Sequence, residues 1–225
     1  MTLSVVLPVF NDEKEIPETL RRICAFLSLK DHRWEIIVSD NGSTDSTQKS
    51  VSAFSKANPR HAIKLVNAAG GSAAGQGVLG ATGRYVLLTE VGLATPIKEV
   101  DKLVQALEKG ADIAVGSRAV HAKDCDVRQN PLGRVREFFL NSLVRLVLLP
   151  HVRDPRCRFK CFKNDVARRL FTRQRADADL SGIEALYRAS KEGFRVVEVP
   201  VMWSEEFPRR SGLNVFDLFR IRTEG

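Results

Sequence analysis

The chain has 225 residues and is 44% hydrophobic, enough for one sizeable core and one α/β domain rather than two. No apolar run reaches transmembrane length, since the best, Leu143–Leu149, is interrupted by Arg145. Net charge is +8 and uneven: residues 1–117 hold 13 basic and 13 acidic side chains, and residues 118–225 hold 22 and 14. The second half is thus suited to an anionic partner, a phosphate or an acidic membrane surface, or carries a solvated basic face. Nucleic acid is not expected, because only Phe207, Phe216 and Phe219 accompany the tail arginines.

Leu3-Ser4-Val5-Val6-Leu7-Pro8 reads as the first strand, with Asn11 or Asp12 capping a helix. Ile16, Leu20, Ile23 and Leu27 recur on one helical face, with Pro17 tolerated in its first turn. Trp34–Ser39 is the second strand and ends in Asp40-Asn41-Gly42-Ser43-Thr44-Asp45, a dense turn-and-cap cluster. A helix over about 45–57 and a strand at Ala62–Val66 follow. Gly70–Gly83 predicts a loop feeding a closely packed helix. Tyr85-Val86-Leu87-Leu88-Thr89 predicts a central strand buried on both faces, followed by a polar turn with Glu90 and Gly92. Pro96 can start a helix at about 96–109, and Asp112–Val115 is the next strand. This alternation argues a mostly parallel, doubly wound α/β sheet sandwiched by helices.

Residues 119–133 read as a polar loop. Val135–Leu149 is helical in period, either a core helix with exposed arginines or a helix lying in a membrane interface. Arg156–Lys163 alternates Cys157, Phe159 and Cys161 against Arg158 and Lys160, the pattern of a half-buried strand. Helices at about 164–173 and 181–192 and a strand Arg195–Trp203 complete the chain. Met1-Thr2-Leu3-Ser4 lacks a signal-peptide n-region, and the scattered Cys24, Cys125, Cys157 and Cys161 fit packed thiols. The expectation is a cytoplasmic protein, peripheral at the cytosolic face of a membrane.

Gly75-Gln76-Gly77-Val78-Leu79-Gly80 matches G-x-G-x-x-G, but not after the first strand where a dinucleotide site would need it. Asp40 at the end of the second strand can accept bonds from a base or ribose, or can equally hold a turn. In open α/β sheets a ligand lies beyond the carboxyl ends of the strands, so Glu90-Val91-Gly92 is expected to face one.

Taken together, Val5–Glu13 and Ile36–Thr47 resemble the nucleotide-binding half of the family 2 inverting glycosyltransferases with the GT-A fold. Gly116-Ser117-Arg118, Asp154–Lys160, Glu184 and Glu198–Trp203 resemble its polyprenyl-phosphate branch, which includes dolichyl-phosphate hexosyltransferases. The resemblance runs over nearly the whole chain and implies one domain, 1–225, with a nucleotide-sugar half (1–117) and a basic acceptor half (118–225). It implies a nucleotide-sugar site lined by Pro8, Phe10, Asp12, Asp40, Thr89, Glu90 and Arg118, and catalytic roles for Glu90, Arg118 and Glu184. Arg134, Arg136, Asn141, Arg209 and Arg210 would meet phosphate or acceptor.

The implied reaction moves a hexose from a UDP- or GDP-sugar to a lipid phosphate at a membrane surface. This sequence departs from the pattern at four positions. Glu90-Val91-Gly92 replaces Asp-x-Asp, which leaves Glu90 as a weakened ligand for Mg²⁺ or Mn²⁺. The lysine of the Gly-rich loop is missing at Gly70-Gly71-Ser72, Gly182 replaces an aspartate, and Arg158 replaces a glycine. An enzyme leaning on arginine, with weak metal dependence and collapse on Arg118→Ala, is one expectation. A weakened or inactive relative that binds a nucleotide or a protein partner is the other.

Overall fold

The structure is a computed structural model that describes residues 2–68, 72–119, 127–128, 141–172, 180–204 and 221. Seven strands form one sheet in the order β3-β2-β1-β4-β7-β5-β8. In chain order these are β1 (Leu3–Val9), β2 (Trp34–Asp40), β3 (Ile63–Asn67), β4 (Tyr85–Leu88), β5 (Ile113–Ser117), β7 (Lys160–Lys163) and β8 (Val196–Pro200). A two-stranded sheet pairs β6 (Val127–Arg128) with β9 (Trp203–Ser204). All pairings are parallel except those of β7, which runs antiparallel between β4 and β5.

The helices are α1 (Ile16–Leu27), α2 (Thr47–Ala57), α3 (Ala73–Leu79), α4 (Val100–Glu108), α5 (141–147 among the described residues), α6 (Asn164–Phe171) and α7 (Ser181–Lys191). A 3₁₀ turn, Ile97–Glu99, leads into α4, and Pro96 sits just before it. α1 buries the stripe its period predicts, Ile16, Leu20, Ile23 and Leu27. Val5, Val6, Leu7, Ile36, Ile37, Val38, Val86 and Leu87 are fully buried, so the middle strands are covered on both faces.

The glycines of α3 serve packing. A Cβ at Gly77 would lie 2.5 Å from the Val6 side chain, so the residue lets the helix lie directly on β1 and β2. That is the physical content of the G-x-G-x-x-G pattern here. The expectation for Arg156–Lys163 is corrected in two respects. The strand begins at Lys160, and it is central rather than half-exposed, with Lys160 only 3% exposed. The room for its ammonium comes from α7, where a Cβ on Gly182 would stand 3.2 Å from Nζ.

β1 pairs with β2 on one side and β4 on the other, so the connections diverge there. That divergence makes the crevice at which open α/β sheets hold ligands. The opposite edge carries a structural carboxylate. Burial would raise the Glu35 pKa, but Lys64, Ser4 and Thr82 donate to it and hold it at about 2.

Candidate functional site

The carboxyl ends of β1, β2, β4 and β5 and the start of β7 all lie on one edge of the sheet. Asp40, Glu90 and Arg118, at the ends of β2, β4 and β5, therefore share that edge, as the sequence pattern requires.

The β1 and β2 tips form one network of side chains and backbone. Asn11 takes a left-handed φ of 54°, a conformation asparagine tolerates. From there its Oδ1 accepts the Thr44 N–H at 2.8 Å, while its own N–H donates to Ser43 Oγ at 3.0 Å. Asp12, 7% exposed, accepts the Phe10 N–H, and its N–H donates to Thr47 Oγ1 at 2.8 Å. Asp45 accepts the Thr47 and Glu13 N–H groups, opening α2 in place of a side-chain cap from Ser46. Burial would raise the Asp45 pKa, but these bonds outweigh it and hold the carboxyl below its ordinary value.

Asp40 is fully buried. It accepts the Ser43 N–H at 3.0 Å, the Ser43 hydroxyl and the Gln48 amide at 2.6 Å. Of the two roles open to it in sequence, the structure shows the turn-holding one. Pro8 is half-buried, and Phe10 is 54% exposed, an apolar ring presented at the edge.

The β4 tip is held differently. Thr89 is buried and continues the register by donating its N–H to the Val6 carbonyl. Glu90 follows, half-buried, with Arg158 Nη1 at 3.4 Å from its Oε2. Gly92 has φ 87°, its N–H donates to Thr19 Oγ1 at 3.0 Å, and its carbonyl accepts from Arg22 Nη1 at 3.2 Å. The last position of the triplet is thus a turn bonded to α1, in a conformation that favours glycine. Among the described residues, no three His, Cys, Asp or Glu gather to hold a metal ion. One carboxylate beside a guanidinium is a weakened donor set for Mg²⁺ or Mn²⁺, since such ions are held by one or two carboxylates with phosphate and water oxygens supplying the rest.

At the β5 tip, Arg118 forks onto Asp154: Nε to Oδ2 at 2.7 Å and Nη2 to Oδ1 at 2.8 Å, with the Arg118 N–H at 2.9 Å. Asn141 Nδ2 adds a bond to Oδ1 at 3.0 Å, and Glu198 accepts the Arg153 and Asp154 N–H groups. Burial would raise the Asp154 pKa, but the Arg118 guanidinium outweighs it and holds the carboxyl below its ordinary value. Trp203 stacks on Arg118 at 5.4 Å. Arg118 therefore braces this loop, which its expected phosphate role did not include.

Glu184 is buried on α7 and paired with Arg188 at 2.7 Å. The nearby Lys160 ammonium donates to the Cys157 carbonyl, and burial pushes its pKa down to about 8. Cys157 and Cys161 are free, buried thiols raised by burial to about 11 and about 12, as packed cysteines should be. Arg134, Arg136, Arg209 and Arg210, and the first part of Val135–Leu149, lie outside the described residues.

Sequence reasoning did not identify Asp154 and Glu198 as the braces of the Arg118 loop, nor Thr19 and Arg22 as the partners of Gly92. Asp154 and Arg118 both stood in the motifs that carry the family resemblance, but nothing local in the sequence matched them as a pair.

The family model described as "Glycosyl transferase family 2" matches residues 4–171. A protein named dolichyl-phosphate beta-glucosyltransferase from Dictyostelium discoideum is 30% identical over 218 residues, 90% of this chain and 66% of its own length. One of the same name from Drosophila melanogaster is 31% identical over 220 residues, 91% of this chain and 68% of its own. The chain thus spans about two thirds of the length of these relatives. Among solved structures, glucosyl-3-phosphoglycerate synthase from Mycobacterium tuberculosis, in complex with Mn²⁺, uridine diphosphate and phosphoglyceric acid, has a similar fold. The TM-score is 0.70 at 18% identity, covering 99% of this chain and 78% of that one.

Proposed function

From the premise that this chain belongs to glycosyl transferase family 2, we propose that it moves a hexose from a nucleotide-sugar to a polyprenyl or dolichyl phosphate, with inversion. The observation that carries the reading is likeness over about nine-tenths of the chain to proteins named dolichyl-phosphate beta-glucosyltransferase. That name favours glucose as the sugar. The geometry supports the donor side, because the β1, β2 and β4 tips meet at the crevice beside the topological switch.

In this reading Phe10 stacks on the base, and Pro8, Asp12 and Thr89 shape the nucleoside wall. Asp40 acts by fixing the turn through Ser43 and Gln48 rather than as an open acceptor. An oxygen of the lipid phosphate forms the new bond to the anomeric carbon. The carbon–oxygen bond to the diphosphate breaks, and the nucleoside diphosphate leaves with the electron pair. A lipid phosphate is already anionic at neutral pH, so no proton must be removed and Gly182 is no obstacle. Glu184 pairs with Arg188 one turn along α7, and Arg118 with Asn141 keeps the acceptor-side loop in shape. Arg134, Arg136, Arg209 and Arg210 meet the lipid phosphate.

A lipid acceptor places the work at a membrane surface, on its cytosolic face. Leu146, 84% exposed on α5, and the basic second half suit such a surface. Among the described residues no helix is long and apolar enough to cross a membrane. Glu90 can give a divalent cation only a weak hold.

The reading is tested by thermal shift with UDP-glucose and GDP-mannose. Stabilisation by one of them is expected, and none by either would overturn it. Gly92 in place of a second carboxylate favours a second reading, a relative that binds nucleotide without turnover. Its signature is stabilisation with no transfer to any lipid phosphate.

A further inference from the structure

We propose that Arg158 is the cation that meets the donor's diphosphate in this chain, a built-in guanidinium in place of a divalent metal; this rests on the nucleotide-sugar reading above. β7 pairs Lys160 with Leu88, so Arg158 lies level with Glu90 just beyond the ladder. Its neighbours Cys157 and Phe159 are 3% and 1% exposed, which fixes the backbone while the guanidinium reaches the edge. Nη1 stands 3.4 Å from Glu90 Oε2, so the guanidinium lies beside the β4 tip.

A metal would fit badly here. Among the described residues, the carboxylate at the β4 tip is Glu90, and it already faces a positive charge that would repel a second cation. Gly92 supplies no side chain, and its φ of 87° and its bonds to Thr19 and Arg22 build that position as a turn. The guanidinium of Arg158 offers planar N–H donors that match phosphate oxygens, held where negative charge grows as the diphosphate departs.

The test is calorimetric titration of the full chain with UDP, GDP, uridine and guanosine, in EDTA and in Mn²⁺. Wild type is expected to bind one diphosphate in EDTA, with Mn²⁺ changing its affinity by less than about tenfold. Arg158→Ala is expected to weaken that diphosphate roughly 10- to 100-fold, the usual worth of a hydrogen bond to a charged group, and to leave the nucleoside alone unchanged. Arg158→Lys falls between.

Glu90→Gln separates the two roles of Glu90. Removing the counter-charge of Arg158 should tighten the diphosphate in EDTA, whereas losing a metal ligand should weaken it in Mn²⁺. Loss of wild-type binding in EDTA, unchanged affinity in Arg158→Ala, equal loss of nucleoside, or weaker binding in Glu90→Gln would each overturn the inference while leaving the transferase reading intact. Failure of wild type to bind either diphosphate in both buffers would remove both.

Discussion

The two flanks of the crevice hold their charges by opposite means. On the β1–β2 side, carboxylates are satisfied by neutral donors: Asp40 by Ser43 and Gln48, Asp45 by the Thr47 and Glu13 N–H groups. On the β4–β7–β5 side, carboxylates face guanidinium groups: Asp154 faces Arg118, and Glu90 faces Arg158. Bonds from neutral donors leave a carboxylate's negative charge in place, suited to a turn that shapes a nucleoside wall. Guanidinium pairs bring positive charge to the flank where an anion would bind or leave. Both guanidinium partners, Arg118 and Arg158, come from residues 118–225, the half of the sequence that carries the whole net charge of +8.

The contrast can be attacked first at Arg118. Arg118→Ala leaves Asp154 buried beside Asn141 without its counter-ion, and the expected cost is about 3–5 kcal/mol in urea unfolding. A loss below about 1 kcal/mol would mean that the pair is not a brace. Activity should fall in that variant along with stability, and Asp154→Asn in the same background should restore part of the stability.

Next is Lys160, a buried cation on the same flank. Its folded pKa, pushed by burial to about 8, lies below its unfolded value of 10.5. The unfolded chain therefore holds more protons between those values, and this group's contribution to stability rises with pH across that window. Urea unfolding of wild type relative to Lys160→Met should improve by about 3 kcal/mol between pH 8 and 10.5. A difference that stays flat with pH would show that the ammonium is not desolvated.

On the other flank, Asp40→Ala removes the acceptor for Ser43 and Gln48 and should cost about 1–3 kcal/mol. Stability unchanged by that substitution would point back to an open carboxylate. The smallest expected effect is Asn11→Ala, about 1 kcal/mol, from the lost Thr44 bond and the left-handed φ.

Much of this was legible in the sequence because it is local. The apolar run at Tyr85–Leu88, the stripe of α1 and the cap cluster after β2 each report their own surroundings. Insertion of β7 between β4 and β5 was not legible. Arg158 and Lys160 alternate with apolar residues as on a half-exposed strand, yet Lys160 is buried because Gly182, a distant residue, makes room. Asp40 showed both of its roles in sequence, and the turn-holding one becomes visible only once Ser43 and Gln48 are placed beside it. Arg158 was visible as a departure from a familiar pattern, but its proximity to Glu90 depends on strand register that no local spacing encodes. The family resemblance named the reaction because its motifs recur in order, and it could not say how the altered positions compensate.

The most direct measurement is transfer of labelled glucose from UDP-glucose to a short polyprenyl phosphate, followed by extraction and analysis of the lipid. A glucosyl phospholipid with inverted anomeric configuration, formed in EDTA as well as in Mn²⁺, is the expected product. Nucleotide binding with no sugar on the lipid in either buffer, from UDP-glucose or GDP-mannose, would contradict the transferase account and leave a nucleotide-binding relative in its place.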